Sequence, residues 1–377
     1  MKPERIVFAI DSFKGSLSST EAGRAAANGM KRILPDCEMI IKPLADGGEG
    51  TVAALTEGLG GELVSARVKD PLGRTISADY GIAEVSGTMT AVIEMAAAAG
   101  ITLLERSELD PMRTSTYGVG QLILDALSRG IDSFIIAIGG SATNDGGAGM
   151  LEALGFVFTD REGREIKRGA AGLEGLYKIG VPELPKIRLR VACDVKNPLC
   201  GEFGCSRIFA PQKGAKPDDI EKMDKWLRHY SSLMQELFPF ADPDSEGCGA
   251  AGGLGFALKW LGARLIPGIE LVMDAVGLED AVRKCDLVVT GEGKLDSQTA
   301  MGKAPAGAAR LAKRYSKPCI AFSGVLGDGA KSCYDIGIDA FFPILNRLCT
   351  EKEAMDRKAA AENLESCAEQ VARILIL

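Results

Sequence analysis

The stretch FIIAIGGSATNDGG at residues 134–147 decides the fold of this chain. An unbroken apolar run ends abruptly in a loop of Gly, Ser, Asn and Asp, and a helical pattern follows the loop. A short apolar run between helical patterns is typical of a parallel strand that is buried on both faces of its sheet.

The same order of apolar run, polar loop and helix recurs along the chain. The other loops are DSFKGS (11–16), ADGGEGT (45–51), DVKN (194–197), GEGKLDS (291–297) and SG (323–324). In open α/β sheets, ligands bind beyond the carboxyl ends of the strands, where this chain concentrates its glycines, carboxylates and hydroxyls. The pattern predicts an α/β enzyme that handles a small anionic molecule.

The length of 377 residues favours two domains over one. The parallel-strand pattern occupies both ends of the chain, whereas the middle contains alternating, β-branched segments that are typical of a meander. We therefore predict a Rossmann-like parallel-sheet domain built from residues 1–69 and 284–377. An inserted second α/β domain is expected over residues 70–283.

Composition disfavours several classes of protein and of site. The net charge of −7 argues against a nucleic-acid or anionic-membrane partner. No stretch approaches the roughly 20 apolar residues that span a bilayer. The ten cysteines form no CxxC pair, which is typical of reduced thiols and predicts a cytoplasmic protein. Nothing in the sequence indicates an oligomeric state.

The chain contains a single histidine, His229, which falls off the apolar stripe of a predicted amphipathic helix. We expect it to be a surface residue, and this disfavours Ser-His-Asp, Cys-His and His-metal chemistry. Carboxylates and lysines are left to carry any proton transfer.

Glycine-rich turns that precede helices offer backbone N–H groups to an anion. The chain has no GxxxxGK[ST] sequence, and its GCGAAG (247–252) follows a polar turn rather than a strand, so we expect close helix packing there and not a dinucleotide site. The candidates for nucleotide or phosphate binding are Ser16, Gly47, Gly48, Gly139, Gly140, Ser141, Asn144, Gly146, Gly147, Gly291 and Gly293.

Charged side chains in the same loops have more than one interpretation. The carboxylates there suit Mg²⁺ coordination, acceptance of a proton, or a helix cap; they are Asp46, Glu49, Asp194, Glu292 and Asp296. Lys14 suits a phosphate contact or a solvated loop equally well. Arg113 suits a bidentate clamp on a substrate carboxylate or a surface position. Lys213 is another loop lysine.

Together these loops resemble one family. The segments DSFKGSLS, ADGGEGT, TSTYGVG, IGGSATNDGGAGM, ACDVKNPL, PQKGA and GEGKLDSQT occur in the order found in the bacterial glycerate kinase family and cover nearly the whole chain. The resemblance implies ATP-dependent phosphorylation of glycerate with Mg²⁺, in a two-domain α/β enzyme with a cleft between the domains. It also suggests D-glycerate as substrate and 2-phosphoglycerate as product, with 3-phosphoglycerate as the alternative.

The roles of single residues are hypotheses of our own. Lys14 and the loops at Gly139 and Gly291 are expected to hold phosphates, with Asp194 as the catalytic base. Asp296 and Asp46 are substitutes for that base or metal ligands, and Glu292 is a further metal ligand. Arg113 and Lys213 are candidates for the substrate carboxylate. The competing interpretations are a Mg²⁺-dependent kinase for another small hydroxy acid or sugar, and a non-catalytic anion sensor on the same fold.

Overall fold

The computed structural model of this protein describes residues 2–48, 50–183, 186–240 and 242–377, so Glu49 lies outside the described residues. The strands are β1 Arg5–Ile10, β2 Glu38–Ile41, β3 Glu62–Lys69, β4 Thr75–Val85, β5 Thr88–Glu94, β6 Ser133–Ala137, β7 Val157–Thr159, β8 Lys178–Gly180, β9 Arg188–Ala192, β10 Arg264–Ile266, β11 Leu287–Leu295, β12 Cys319–Leu326 and β13 Ala340–Pro343. The α-helices are α1 Ser19–Lys31, α2 Thr51–Gly58, α3 Ala96–Ala99, α4 Tyr117–Ser128, α5 Ala148–Ala153, α6 Cys205–Ile208, α7 Pro217–Leu237, α8 Ala250–Trp260, α9 Gly268–Ala275, α10 Leu278–Lys284, α11 Ser297–Ala300, α12 Ala304–Arg314, α13 Glu351–Ala354 and α14 Arg357–Leu375.

The chain divides into two compact units. The terminal unit comprises Met1–Asp46, Ala53–Gly61 and Ile269–Leu377, and the middle unit comprises Gly47–Val52 and Glu62–Gly268. Each unit has its own sheet and its own apolar core.

The sheet of the terminal unit is parallel throughout and has the order β13-β12-β11-β1-β2. The apolar residues of β1 are buried, and α1 begins at a capping box in which Ser18 and Glu21 satisfy each other's backbone N–H groups. Apolar side chains of α1 and α14 join the strands in one core. The predicted parallel sheet built from both ends of the chain is confirmed.

The sheet of the middle unit has the order β10-β9-β6-β5-β4-β3. The strands β5, β6, β9 and β10 pair in parallel, whereas β3, β4 and β5 form an antiparallel meander. Its core includes Phe134, Phe156 and Tyr230. The predicted mixture of parallel strands and meander is therefore present, and the α/β class is confirmed.

The limits of the two units differ from the expected limits at both ends of the insertion. The run 62–69, expected in the terminal domain, forms β3 and pairs with β4 through a turn that begins at Asp70. The stretch 269–283, expected in the insertion, belongs to the terminal unit. For the run 62–69, the reason is that a strand's partner is set by hydrogen bonds to other strands, which its own apolar pattern does not specify.

Two smaller expectations concern His229 and membrane spans. His229 is exposed, as predicted, and its Nε2 lies 2.9 Å from the carbonyl oxygen of Leu176. Within the part of the chain that the structure describes, no helix combines the length and the apolar character that crossing a membrane requires.

Candidate active site

The chain order of the strands reverses between β1 and β11 in the terminal unit. From β1 the sheet proceeds to β2 on one side, and from β11 to β12 and β13 on the other. The carboxyl ends of the two central strands are adjacent, because Ile10 pairs with Gly291 and the Asp11 N–H donates to the Gly291 carbonyl at 2.9 Å. Such a switch point is where open α/β sheets bind ligands.

A cavity of about 720 Å³ opens at this switch point within the terminal unit. Its charged lining comes from the loop after β1, from the end of the segment that follows β2, and from β11 and the residues after it. These charged residues are Asp11, Lys14, Asp46, Glu292, Lys294, Asp296 and Lys303, with Glu351 on α13. The volume lies in the range of cavities that hold small-molecule ligands.

Asp11 is the most perturbed carboxylate of this cavity. It is only 7% exposed, and burial raises its pKa to about 7, with further upward contributions from Asp46 and Glu292. The N–H of Ser12 donates to its Oδ1 at 2.6 Å and Lys14 lies near enough to oppose the rise. A carboxyl group with such a pKa is able to exchange a proton near neutral pH.

Glu292 is buried beside Asp11 and keeps two partners. The Thr299 hydroxyl donates to its Oε1 at 2.5 Å, and the Lys303 ammonium lies 3.8 Å from its Oε2. Burial raises the pKa of Glu292, and the hydroxyl and the ammonium oppose that rise. Glu292 is thus a buried carboxylate with a hydroxyl and an ammonium as partners.

Asp296 serves as the N-cap of α11, because its Oδ1 accepts the Gln298 N–H at 2.9 Å. Burial would raise its pKa, but that N–H and the ammonium of Lys303 hold the pKa below its usual value.

Lys14 is exposed and its Nζ lies 4.0 Å from the Asp46 carboxylate. Among the described residues, no group of three or more His, Cys, Asp or Glu side chains is arranged to hold a metal ion.

Gly291 and Gly293 lie in a strand and not in the loop that the sequence predicts. β11 continues to Leu295 and pairs with β12 between Val288 and Leu295, with Gly291 opposite Phe322. A Cβ on Gly291 would come within 2.4 Å of the Phe322 carbonyl oxygen. Gly291 is therefore required for the close approach of two strands, and Gly293 lines the cavity from within the strand and not from a turn.

In the middle unit, three of the predicted glycines come together at the carboxyl edge of the sheet. A Cβ on Gly139, just beyond β6, would be 3.5 Å from the Cα of Gly48. Gly47 has a φ of +84°, and a Cβ there would come within 2.7 Å of the Gly268 Cα. Gly139 and its neighbour Gly140 are exposed.

Asp194 lies at the same edge of the middle unit. It is exposed, it follows β9, and its Oδ1 accepts the backbone N–H of Gly268 at 2.9 Å. Because Gly268 also borders Gly47, the carboxylate of Asp194 lies close to the glycine cluster. Asp194 and the glycines Gly47, Gly48 and Gly139 thus lie at one edge of the middle unit.

The side chain of Lys213 points into the interior of the protein and not into solvent. Its side chain is 1% exposed, and its Nζ donates to the Ser141 hydroxyl and to the Thr143 carbonyl, both at 2.7 Å. Burial lowers the pKa of Lys213 to about 8. This geometry favours a residue that positions the loop at Ser141 over one that contacts a substrate carboxylate.

The second half of the Gly139 loop faces the core. Asn144 is fully buried and its amide donates to the Ser206 hydroxyl at 2.8 Å. A Cβ on Gly146 would come within 2.8 Å of side-chain carbons of Leu227 and Tyr230. A Cβ on Gly147 would likewise come within 2.5 Å of the Cβ of Ala257. These residues hold the loop against helices, and only its first residues reach the sheet edge.

Two neighbouring groups support that loop. The buried Asp145 carboxylate accepts the Thr116 N–H at 2.8 Å and the Gly147 N–H at 3.1 Å. The GCGAAG segment contributes close packing, as predicted, since the Gly146 N–H donates to the Gly252 carbonyl at 2.9 Å and a Cβ on Gly252 would clash with Thr143. The loop is thus rigidly built, which suits a binding site.

Arg113 is exposed and precedes Thr114, whose hydroxyl donates to the Ala142 carbonyl at 2.8 Å. That bond joins the segment of Arg113 to the Gly139 loop.

In the terminal unit, Ser16 lines the cavity, and its buried hydroxyl has no hydrogen-bond partner among the described residues.

Sequence reasoning missed Asp11, Asp145 and Lys303 as site residues. Asp11 carried a signal, since it is the first polar residue after a buried strand. Asp145 sits inside a quoted motif, but only its buried hydrogen bonds reveal its role. Lys303 lies in no motif, and only the fold brings it to Glu292.

Comparison with known proteins identifies the family. Residues 6–376 match the sequence profile of the Glycerate kinase family. The chain is 44% identical to a glycerate kinase of Haemophilus influenzae (strain ATCC 51907 / DSM 11121 / KW20 / Rd) over 376 residues, which cover 98% of each protein. It is 44% identical to the glycerate 2-kinase of Escherichia coli (strain K12) over 378 residues, or 99% of this chain and 98% of the relative.

A solved structure agrees with this result. A crystal structure from Salmonella typhimurium LT2, of a protein provisionally named glycerate kinase 2, superposes with a TM-score of 0.90 at 44% identity and covers 99% of this chain and 98% of that one. The chain therefore belongs to the glycerate kinase family and is an enzyme of the kinase class.

Proposed function

We propose that this protein transfers the γ-phosphoryl group of ATP to a hydroxyl of D-glycerate and yields 2-phosphoglycerate and ADP. The observation that carries the transfer chemistry is the cluster of buried carboxylates and accessible lysines at the switch point of the terminal unit. The similarity to glycerate kinases over nearly the full chain supports glycerate as the phosphoryl acceptor. The name of the E. coli relative, glycerate 2-kinase, supports 2-phosphoglycerate as the product.

Phosphoryl transfer depends on positioning and on neutralisation of charge. Lys14 lies at the cavity rim with an ammonium that is not at hydrogen-bond distance from Asp46, so its protons suit a phosphate oxygen. Mg²⁺ would be held by Asp46 and Glu292 together with phosphate oxygens, and when bound it would neutralise phosphate charge. The carboxylate oxygens of Asp46 and Glu292 in the lining of one cavity are the observation that fits a cation here.

The glycerate hydroxyl must lose its proton as its oxygen attacks the γ-phosphorus and the bond to the bridging oxygen of ADP breaks. Asp194 is our proposed base, because it is exposed beside the Gly47–Gly139 cluster and keeps one oxygen oriented by the Gly268 N–H. Asp296 suits this role less, since α11 uses its carboxylate as a cap. Asp11 is the structural alternative, since its pKa of about 7 matches a general base.

The substrate carboxylate needs a cationic donor, and Arg113 is our proposal because it is exposed next to the Gly139 loop. Lys213 then positions Ser141 instead of binding the substrate. Gly139, Gly140 and Ser141 supply the part of that loop able to meet a ligand, while Asn144, Gly146 and Gly147 hold it in place.

The test is a coupled ADP-release assay with MgATP and D-glycerate, followed by phosphorus NMR of the product. Glycerate-dependent turnover with phosphate on the second carbon is the expected result. Turnover with another hydroxy acid or sugar alone would favour a different acceptor, and ligand binding without any turnover would favour the sensor. We also propose a cytoplasmic location, which the free thiols support.

A further inference from the structure

The cavity of the terminal unit has an apolar lining in addition to its charged residues. Some of the apolar side chains come from the loop after β1 and from β12, and most come from the segment 344–360, which runs from the end of β13 through α13 into α14. They are Phe13, Val325, Ile344, Leu345, Ala354, Met355 and Ala360. A phosphate site alone gives no reason for such a surface, because phosphate is bound by polar donors.

Specific contacts hold the segment 344–360 beside the cavity that it lines. The Ile344 N–H donates to the Ser323 carbonyl at 2.9 Å, which anchors the start of the segment beyond β12. At the other end, Met355 lies over the loop after β1, since a Cβ on Gly15 would come within 2.4 Å of the Met355 Cε. Gly15 has a φ of +78°, so glycine is favoured there for its conformation as well as for its size.

The three lysines of the charged lining suit a polyphosphate, and the carboxylates beside them would face it through a bound cation. Lys14, Lys294 and Lys303 each lie near a carboxylate, but their N···O separations of 4.0, 3.5 and 3.8 Å exceed those of direct hydrogen bonds. The side chains of Lys14 and Lys294 are 72% and 60% exposed. These ammonium groups can therefore turn to phosphate oxygens without breaking a short bond.

A nucleoside triphosphate has the same two parts, a flat base with apolar faces and a chain of anionic phosphates. The volume of about 720 Å³ is that of a site for a ligand of this size. We infer that the terminal unit binds the phosphoryl donor as a whole nucleotide, with its base against the segment 344–360 and its phosphates toward Lys14, Lys294 and Lys303. This inference rests on the proposed function for the identity of the donor.

The experiment fills the apolar part of the cavity in the full-length protein. Ala354 lines the cavity from α13, so Ala354→Trp places an indole where the base would lie. Lys352→Trp on the same helix is the control, because Lys352 is exposed and does not line the cavity. We expect the Kd of MgADP, measured by titration calorimetry, to rise about tenfold or more in Ala354→Trp, which is about 1.4 kcal/mol, and to stay unchanged in the control.

A second measurement needs no variant. Photolabelling of the wild-type protein with ATP that carries an azide on its base is expected to modify peptides from residues 344–360, and excess ADP should prevent the labelling. Labelling confined to peptides from residues 62–268 would overturn the inference, and so would an unchanged Kd in a folded Ala354→Trp protein. If Ala354→Trp does not fold, the photolabelling result decides.

The outcomes separate this inference from the proposed function. Glycerate phosphorylation with a normal KM for ATP in Ala354→Trp would sustain the function and refute the site. ADP binding that Ala354→Trp weakens, in a protein without glycerate-dependent turnover, would sustain the site and refute the function.

Discussion

The burial of Asp11 predicts a pH-dependent effect on the stability of the folded protein, and the size of that effect can be worked out. In the folded protein its pKa is raised from 3.8 to about 7 by burial and by Asp46 and Glu292. A folded-state pKa above the unfolded value means that the native state binds more protons between about pH 4 and pH 7, so its stability falls as the pH rises through that range. Above pH 7 the cost of the buried charge is about 4 kcal/mol.

Replacement of Asp11 by Asn removes this cost and keeps an oxygen that accepts the Ser12 N–H. We expect Asp11→Asn to be more stable than the wild type above pH 7 by up to about 4 kcal/mol. The difference should shrink as the pH falls through this range and approach zero below about pH 4, where the wild-type carboxyl becomes protonated in both states.

The assay is urea unfolding at several pH values. The two tryptophans, Trp226 and Trp260, belong to the middle unit, so their fluorescence does not follow the terminal unit. Far-UV circular dichroism with hydrogen exchange of β1 is the appropriate readout. A loss of stability in Asp11→Asn above pH 7, or a gain that is the same at every pH, would refute the reasoning.

Asp339→Asn is a control of opposite sign in the same unit. Burial would raise the pKa of Asp339, but the Lys313 ammonium at 2.6 Å and the Cys319 N–H at 2.8 Å hold it below its usual value. The stability from this group is therefore present near neutral pH and is lost as the pH falls through the folded-state pKa. Asp339→Asn should destabilise the protein at pH 7 and have less effect in acid.

Three further predictions concern the middle unit. Asp194→Asn should lower kcat by about 10²–10⁴-fold in the ADP-release assay with folding intact, and near-normal turnover would exclude Asp194 as the base and turn attention to Asp11. Gly146→Ala should destabilise the middle unit by about 1–3 kcal/mol with an unchanged KM for ATP, as followed by tryptophan fluorescence in urea, because its Cβ would meet Leu227 and Tyr230. Gly130→Ala is its control, since that glycine also has a positive φ but open space around it, and equal losses in both would contradict the packing argument. Arg113→Met should raise the KM for glycerate about tenfold or more and leave that for ATP unchanged, whereas a normal KM for glycerate would show that another group binds the carboxylate.

Local patterns predicted those parts of the fold that local physics controls. The apolar run before Asp11 forms β1, and Ser18 with Glu21 caps α1, because burial periodicity and capping act within a few residues. The pairing of β3 with β4 was missed, and so was the continuation of β11 through GEGKL, because the deciding hydrogen bonds come from a different strand.

The candidate site shows the same division. The loops at residues 11, 47, 139 and 194 were identified from the sequence because Gly, Asp and Ser directly follow buried strands, whereas the segment at residue 292 is part of β11. The direction of each side chain was not identified from the sequence. In sequence, Lys213 is indistinguishable from an exposed loop lysine, and only the fold buries its ammonium against Ser141 and Thr143. Lys303 likewise has no local signal.

The amino-acid sequence by itself determined the α/β class, the parallel sheet made from both chain ends, the family and the kinase class, because strand periodicity and long motifs are properties of the chain. Only the tertiary structure decided that β1 and β11 are neighbours, that Asp11 is buried near other carboxylates, and that the segment 344–360 lines the cavity. The physical reason is that burial and charge coupling depend on residues that are hundreds of positions apart in sequence and become neighbours only when the chain folds.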